Sequence, residues 1–476
     1  MKNGISRWLR ANYPALVPVL AFVLLRLIVD FNGLYGQDSH EYLRFSKALH
    51  HWMLTGEHPG AFYWPLNFPL FGALMTFIVQ DPILAMQLVS MLGGALLLVF
   101  LRQLLVRSFA QHAGLVNPFL LAVAALSPYL LRASLSVMSD VLAMAFVVGA
   151  FAAFLRWREQ PAMRGLLVMA FWAALAVHTR YASFVLLAIP GVAVLIQSVK
   201  QQRWGGLLLG LGLGLVLSLP HWWLRQGEAF GFLGNAYFQD WSVGHFFQSS
   251  FTGQDGTLAY AVPNILFVWS SLVHPGFLLL GAPLLLFVRK ADVAHSALKF
   301  AIPIIVLYAV FLAGLPFQNN RVLMLSLPLV VVLLFPAFTR KATWMEKWVR
   351  GLRWLPLVLA VQLALVVLAF RPHVQRNQLE KTMAHTLNTE YPDKVVYTFA
   401  VDMALRSYGT QNEVREIFLH RYDTFERGAL FLFNEARFAP LFPDRNPMLN
   451  WEAANAGYEL QVVREFADGW TLYEIR

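Results

Sequence analysis

The chain has 476 residues, of which 58% are hydrophobic and only 13% are charged. Soluble domains are about 45–50% apolar and about 25% charged, so the composition excludes an ordinary soluble protein and indicates a polytopic membrane protein. The net charge of +10 does not indicate nucleic-acid binding, because the cationic residues cluster in short loops between apolar segments. The absence of cysteine excludes disulfides, thiolate metal sites and a cysteine nucleophile.

The first apolar segment covers about residues 13–29 and follows Lys2, Arg7 and Arg10. Its length and the lack of a small-residue cleavage site predict an uncleaved anchor. Basic residues mark the cytoplasmic end of a span, so the N-terminus is predicted to lie inside and Asp38 outside.

The next apolar segment, residues 66–79, decides the orientation of everything that follows. It begins with prolines, Pro65 and Pro69, and is short for a span, which needs about 20 residues. If it crossed the membrane, the basic loop with Arg102 and Arg107 would lie outside and every later loop would invert. The positive-inside rule therefore predicts a re-entrant or interfacial segment.

Ten further segments are predicted to cross the membrane, which gives eleven spans and an outside C-terminus. They are residues 82–101, 115–131, 140–156, 165–178, 181–198, 205–224, 264–288, 298–315, 322–338 and 352–370. The predicted fold is thus an α-helical polytopic membrane protein with interfacial or re-entrant helices in its first outer loop.

From about residue 371 the composition changes to that of a soluble domain. The pattern predicts strands at 395–399, 429–433, 458–463 and 470–475, helices at 382–389 and 401–408, and a hairpin turn at Asp468-Gly469. We therefore predict a membrane domain over residues 1–370 and a small α/β domain over residues 371–476 on the outer face. This domain is interpreted as a lid or a platform for the acceptor.

Ionisable side chains collect at the outer ends of the predicted spans. They are Asp38, His40, Glu41, Arg132, Asp140, His178, Arg180, His221, Arg225, Asp240, His245, Asp255 and Arg321. Charges beside a bilayer are costly and by default mark a functional site. Carboxylates can act as general bases and arginines bind phosphate through a planar fork of donors, whereas the histidines lack the spacing of a metal site.

Asp38 begins a predicted amphipathic helix that extends to about residue 54. Asp38, Glu41 and Tyr42 have i, i+3, i+4 spacing and so share one face. Two simpler interpretations stay open: Asp38 and Asp140 could each serve only as a helix N-cap. Arg180 and Arg321 could likewise extend only to the lipid headgroups.

An ordered set of short motifs resembles the GT-C glycosyltransferases, in particular the protein O-mannosyltransferases, the lipid A aminoarabinose transferases and their bacterial paralogues. The motifs are Gln37–Tyr42, Lys47–Leu49, Pro65–Leu70, Asp81-Pro82 with Gln87–Ser90, Leu135–Asp140, His178–Tyr181, and Arg321 with Leu327-Pro328. The resemblance covers about residues 15–340. Many relatives have a second acid after the first one, whereas this chain has Ser39.

The resemblance implies an inverting enzyme that moves a hexosyl or pentosyl group from a polyprenyl phosphate to an acceptor. It implies Asp38 as the catalytic carboxylate, with Glu41 as a geometric substitute for the second acid, and Arg180 and Arg321 as phosphate contacts. Tyr42, Asp140 and Tyr181 complete the predicted substrate-binding set.

The implied location is the bacterial inner membrane, with the N-terminus cytoplasmic and the C-terminal domain periplasmic. The lipid-linked sugar is a co-substrate, and no cofactor or metal is predicted. The acceptor is expected to be an envelope glycan, lipid or protein, and the other partners are membrane lipids rather than nucleic acid. Two alternative functions stay open: a transporter or flippase of lipid-linked sugar or polymer, and a non-catalytic envelope assembly protein.

Overall fold

Apolar helices form most of the chain, as the composition requires. The computed structural model describes residues 2–224, 239–253, 256–350 and 355–476. One hydrophobic core contains buried residues from Ala15 to Phe338, and a second contains buried residues from Leu379 to Ile475. The protein is therefore a multi-span membrane protein with a small C-terminal unit, as predicted.

The helices before the second core are bounded as follows. They are α1 (Lys2–Ala11), α2 (Leu16–Val29), α3 (Gly36–Thr55), α4 (Asn67–Val79), α5 (Pro82–Ser108), α6 (Ala113–Ala125), α7 (Pro128–Leu135), α8 (Asp140–Glu159), α9 (Met163–Thr179), α10 (Ser183–Lys200), α11 (Trp204–Leu224), α12 (Asn264–Phe267), α13 (Ser270–Val273), α14 (Gly281–Leu285), α15 (Lys290–Val293), α16 (Ser296–Ala313), α17 (Asn320–Leu323), α18 (Leu327–Arg350) and α19 (Leu355–Glu390).

The predicted count of eleven spans is not confirmed. Within the described ranges, six helices are long and apolar enough to cross a membrane, or seven if the pair α6 and α7, bent by 75°, is one span. Two predicted spans, 13–29 and 165–178, are shorter apolar helices here, α2 and α9.

The predicted span 264–288 is wrong as a continuous helix. It consists of α12, α13 and α14, and Pro275 and Gly276 lie at the break between α13 and α14. The Gly276 carbonyl accepts a hydrogen bond from the Tyr129 backbone N–H at 3.0 Å, at the bend between α6 and α7. Irregular backbone at membrane depth is tolerated where neighbouring protein satisfies it in this way.

Contacts between helix ends define two faces of the bundle. On one face Asn117 donates to the Ala11 carbonyl at 2.8 Å, and Arg107 pairs with Glu159 at 2.6 Å. The opposite face holds Asp38, and we call it the site face. Helices α5 and α8 both run from the site face to the other face.

Both ends of α4 lie on the site face. Its first residue, Asn67, donates to the carbonyl of Leu175 at 3.1 Å, one turn before the end of α9. Asp81, just after α4, lies 3.9 Å from Arg26 near the end of α2, and it caps α5 by accepting from the Ile83 N–H. Segment 66–79 therefore returns to the face from which it starts, as predicted for a re-entrant or interfacial segment.

This arrangement predicts the outcome of topology mapping. Reporter fusions after about residues 60 and 400 should read outside, and fusions after about residues 110, 160, 202, 295 and 345 should read inside, because the basic loops stay cytoplasmic. An outside signal at about residue 110 would mean that α4 crosses the membrane.

The C-terminal unit is an α/β domain built around one mixed sheet. Its strands are β3 (Val396–Thr398), β4 (Val414–Glu416), β5 (Leu430–Phe433), β6 (Leu460–Glu465) and β7 (Thr471–Ile475), in the order β4-β3-β5-β7-β6. β3 is parallel to β4 and β5, whereas β7 is antiparallel to β5 and β6. A separate hairpin, β1 (Ser250–Gly253) and β2 (Gly256–Ala259), precedes α12.

Four of these five strands match the predicted ones, and the turn at Asp468-Gly469 joins β6 to β7, with Asp468 at φ +60°. Helix α20 (Asp402–Ser407) was also predicted, whereas β4, α21 (Glu435–Phe438) and α22 (Asn446–Gly457) were not. The predicted helix 382–389 is the end of α19, which passes through residue 371 without a break.

Candidate active site

The loop 30–35 and the start of α3 place Asp38 at the site face. The N-cap of α3 is Tyr35, and Asp38 lies in the first turn of the helix. Ser39 Oγ accepts from the Tyr35 N–H at 2.7 Å and donates back to the Tyr35 carbonyl at 2.8 Å. Asp38 is therefore not the N-cap, because the helix begins two residues earlier than its sequence suggested.

Two carboxylates and two guanidinium groups form one continuous chain of ion pairs. Arg321 donates from Nη1 to Asp38 Oδ2 at 2.6 Å, and its Nε lies 3.3 Å from Asp140 Oδ2. Arg180 Nη1 lies 2.5 Å from Asp140 Oδ1. Asp140 is the first residue of α8 and makes no N-cap hydrogen bond. Both simpler interpretations are wrong here: neither acid is an N-cap, and neither arginine merely extends to headgroups.

The chain of ion pairs is buried at Asp140, in its middle, and accessible to solvent at Asp38, one of its ends. The side chain of Asp140 is 1% exposed and lies between the two arginines. Asp38 is 38% exposed and contacts only one of them, so it is the carboxylate that an incoming molecule can reach. The network joins residues as far as 283 positions apart in sequence.

Tyr42 contacts this network through Ser139. Its hydroxyl is 3.1 Å from Ser139 Oγ, which also lies 3.4 Å from Arg180 Nη1. Burial raises the pKa of Tyr42 to about 12, against the opposing charge of Arg180 and the hydrogen bond with Ser139. Tyr42 is therefore a neutral phenol that fixes the segment before Asp140.

The structure adds Arg132 and His373 to the site. The Arg132 guanidinium lies 4.7 Å from the centroid of the Tyr129 ring and interacts electrostatically with Arg321 and Asp140. In the described part of the chain, Arg132 forms no salt bridge with a carboxylate. It is a cation at the network that no acid there neutralises.

His373, on α19, packs against Tyr35 with ring centroids 3.6 Å apart and the ring planes tilted by 39°. Burial, followed by the charges of Arg132 and Arg321, lowers the pKa of His373 to about 3. Its Nδ1 is buried and has no hydrogen-bond partner among the described residues. No sequence signal identified His373, because it follows the last predicted span without a motif.

Two predicted site residues lie elsewhere. Glu41 forms a bidentate pair with Arg44, with both N–O distances 2.6 Å, and this i, i+3 contact turns it away from the network. The Tyr181 hydroxyl is 3.2 Å from His221 Nε2, whose ring centroid lies 4.9 Å from that of His178.

Other predicted candidates do not add to the network. His245 Nδ1 lies 2.9 Å from the Gly314 carbonyl, and Asp240 is exposed in the same loop. Arg225 and Asp255 lie outside the described residues. Over the described ranges, no three His, Asp or Glu side chains are arranged to hold a metal ion.

An apolar groove of about 680 Å³ opens between α4, α5, α8, α9 and α11. Leu70, Leu92, Phe146 and Trp172 are typical of its lining, and Asn67 and His221 are its polar members. His221 contacts Tyr181, the neighbour of Arg180 in sequence. The polar part of the groove therefore lies beside the ion-pair network.

The chain is similar to known proteins in part of its sequence and in its fold. Residues 63–224 match the family described as dolichyl-phosphate-mannose-protein mannosyltransferase. The chain also resembles the crystal structure of ArnT from Cupriavidus metallidurans in the apo state, with 14% identity over 96% of this chain and 97% of that one and a TM-score of 0.58. ArnT from the same organism bound to undecaprenyl phosphate gives 15% identity, the same coverage and a TM-score of 0.57.

A third similar structure is the Archaeoglobus fulgidus oligosaccharyltransferase tethered to an acceptor peptide containing the NVT sequon. It has 11% identity over 99% of this chain and 74% of that one, with a TM-score of 0.51. No protein of curated function is significantly similar in sequence. At such identities the likeness establishes the fold, and the predicted GT-C resemblance is confirmed.

Proposed function

We propose that this protein of GT-C fold is a membrane glycosyltransferase that moves a sugar from a polyprenyl-phosphate donor to an acceptor. The observation that carries the proposal is the accessible carboxylate of Asp38 at one end of an ion-pair network, beside an apolar groove. The site face would be periplasmic, with the N-terminus in the cytoplasm of a bacterial cell. A hexosyl or pentosyl group and an envelope glycan, lipid or protein acceptor fit this setting.

The chemistry is an inverting displacement at the anomeric carbon. Asp38 takes the proton of the acceptor hydroxyl while the hydroxyl oxygen forms its bond to that carbon. The bond from the anomeric carbon to the phosphate oxygen breaks, and its electron pair leaves with the polyprenyl phosphate. Arg321 orients Asp38 through the 2.6 Å contact and keeps positive charge near the departing oxygen.

The groove between α4, α5, α8, α9 and α11 suits the polyprenyl chain of the donor. Its walls are almost entirely apolar, and its polar members, Asn67 and His221, lie where the phosphate would reach the network. The similarity to ArnT bound to undecaprenyl phosphate supports a donor of this class.

The charge balance of the network indicates which arginine receives the phosphate. Arg180 and Arg321 were predicted as phosphate contacts, but Asp38 and Asp140 already balance them one for one. Arg132 supplies the additional positive charge. The donor is a phosphodiester and the product a phosphomonoester that carries more negative charge at pH 7, so an unpaired cation stabilises the leaving group most. We therefore assign the phosphate to Arg132, with Arg321 beside it.

Replacing Arg132 with alanine should raise the donor KM about 10- to 100-fold, the usual cost of losing a hydrogen bond to a charged group. Arg132→Lys should recover only part of the loss, because an ammonium group cannot reproduce the bidentate fork. The measurement is transfer by purified enzyme against donor concentration. Arg158, whose guanidinium lies 5.1 Å from the Phe300 ring on the other face, is the matched control. A wild-type donor KM in Arg132→Ala would place the phosphate elsewhere.

The whole proposal is tested by mass spectrometry of polyprenyl-linked sugars and envelope glycans in a deletion strain. A transferase predicts accumulation of one lipid-linked sugar and loss of that sugar from one envelope acceptor. Complementation with Asp38→Asn should fail. A strain that Asp38→Asn complements fully would point to an assembly protein. Accumulation of the lipid-linked sugar in the deletion strain, with no sugar transfer by the purified protein, would point to transport.

A further inference from the structure

The helix that carries Asp38 lacks a local N-cap side chain. Tyr35 occupies the N-cap position of α3, and its side chain makes no capping hydrogen bond. Gly36 has φ +63°, a conformation that glycine adopts without strain and that turns the chain into the helix. The first N–H groups of a helix have no partner within it, so they need one from elsewhere.

Glu380, on α19, supplies that partner from 344 residues away. Its Oε1 accepts from the Gly36 N–H at 3.3 Å, and its Oε2 lies 3.0 Å from His40 Nε2, one turn further along α3. Both side chains are fully buried. Arg376 Nε also lies 2.6 Å from Glu380 Oε1 and compensates the buried charge.

The electrostatics of Glu380 agree with this role. Burial by itself would raise the pKa of the Glu380 carboxyl, but the hydrogen bond with His40 and the charge of Arg376 lower it. The group is therefore held as a carboxylate. A negative charge at a helix N-terminus is favourable to the helix dipole.

Neighbouring contacts hold the same end of α3. Gln37, the residue before Asp38, donates from Nε2 to Asp402 Oδ1 on α20 at 3.1 Å. Asn377, one turn before Glu380, donates to the Leu34 carbonyl at 2.7 Å. The loop and first turn of α3 are thus held by residues that follow the last predicted span.

The geometry of α3 separates these contacts from the chemistry. Successive residues are rotated by about 100°, so Gly36 and His40 lie on one side, and Asp38 and Tyr42 lie on the other. The first side meets Glu380, and the second meets Arg321 and Ser139. Any rotation or shift of α3 relative to Glu380 would therefore change the position of Asp38 relative to its substrate.

We propose that Glu380 is a positioning residue that caps α3 from the C-terminal unit and, with His40, sets the position of Asp38. The inference deepens the proposed function and rests on it for its catalytic consequence. The C-terminal unit is then part of the scaffold of the active site, in place of the lid or platform expected from the sequence.

Two measurements test this on the full-length enzyme. Glu380→Ala should lower kcat about 10- to 100-fold with little change in donor KM, because misplacement of a catalytic group affects the reaction more than the binding of the donor. Glu380→Gln keeps the shape and an acceptor oxygen, so it should recover part of kcat. A merely structural residue would reduce the yield of folded protein but leave kcat of the folded fraction at the wild-type value, which would overturn the proposal.

Hydrogen exchange provides the readout that does not need turnover. In Glu380→Ala, amides of residues 36–40 should exchange about 2- to 30-fold faster, the range expected for loss of a helix cap. Glu390, on the same helix as Glu380, forms an exposed pair with Arg464 of β6 at 3.4 Å. Glu390→Ala is therefore the control and should change neither readout. Wild-type exchange in Glu380→Ala and Glu380→Gln would overturn the proposal. If the wild-type protein shows no transferase activity but residues 36–40 still exchange faster in Glu380→Ala, the cap is retained and only the proposed function is rejected.

Discussion

Replacing Asp38 with asparagine should lower sugar transfer by about 10²–10⁴-fold, the usual contribution of a general base. The amide has nearly the same size and can still accept a hydrogen bond from Arg321, so the protein should express and unfold at nearly the wild-type temperature. Donor binding should change little, since the phosphate is assigned to Arg132. The measurement is the single-turnover rate with a purified polyprenyl-phosphate sugar, together with donor affinity.

Glu41→Gln is the matched control for Asp38→Asn, because it removes an acid one turn away on the same helix. Glu41 pairs with Arg44 outside the network, so this variant should retain most of the activity. Near wild-type turnover in Asp38→Asn would show that another group accepts the proton. A larger loss in Glu41→Gln than in Asp38→Asn would reverse the assignment.

Replacing Asp140 with alanine should reduce the free energy of unfolding by about 3–5 kcal/mol, the range for removing one partner of a buried ion pair. The carboxylate is 1% exposed and separates Arg180 from Arg321, so its loss leaves two largely buried cations facing each other. The measurement is denaturant or thermal unfolding in detergent, with Asp140→Asn expected to be intermediate because it keeps the shape.

Asp30→Ala is the control for Asp140→Ala. Asp30 is 91% exposed and pairs with Lys381 at 2.9 Å, and exposed pairs of this kind contribute about 0–1 kcal/mol. If Asp140→Ala were as stable as Asp30→Ala, the arginines would not depend on Asp140 for their charge balance.

The sequence was sufficient to predict that Asp38, Asp140, Arg180 and Arg321 lie on one face, since all four are at the ends of apolar segments whose orientation follows from the charge pattern. It could not show which acid pairs with which base. The resemblance therefore assigned the phosphate to two arginines that carboxylates already balance, and Arg132 was not in the predicted substrate-binding set. Glu41 was included because helical spacing places it near Asp38, but spacing does not reveal the competing contact with Arg44.

The sequence could not predict which residues of the C-terminal part of the chain contact the site. His373 and Glu380 lie in a stretch whose composition resembles a soluble domain, and nothing in their neighbourhood indicates contact with α3. Pro275-Gly276 is a sequence signal for the break in segment 264–288, but a prediction made from hydropathy alone does not take it into account. Among the strands of the C-terminal sheet, only β4 was missed, because it is three residues long and two of these, Arg415 and Glu416, are charged.

Helix α19 has a consequence for the exchange of parts between related proteins. One side of it packs Phe370 against Phe31, and further along it contributes Met383 and Leu387 to the second core. The side chains in these two regions of the helix therefore have to keep a fixed rotation relative to each other. Inserting or deleting a single residue between them would rotate everything that follows by about 100°. Residues 371–476 are consequently not an interchangeable cassette, and a chimera joined inside α19 should keep its activity only if the junction preserves the helical register.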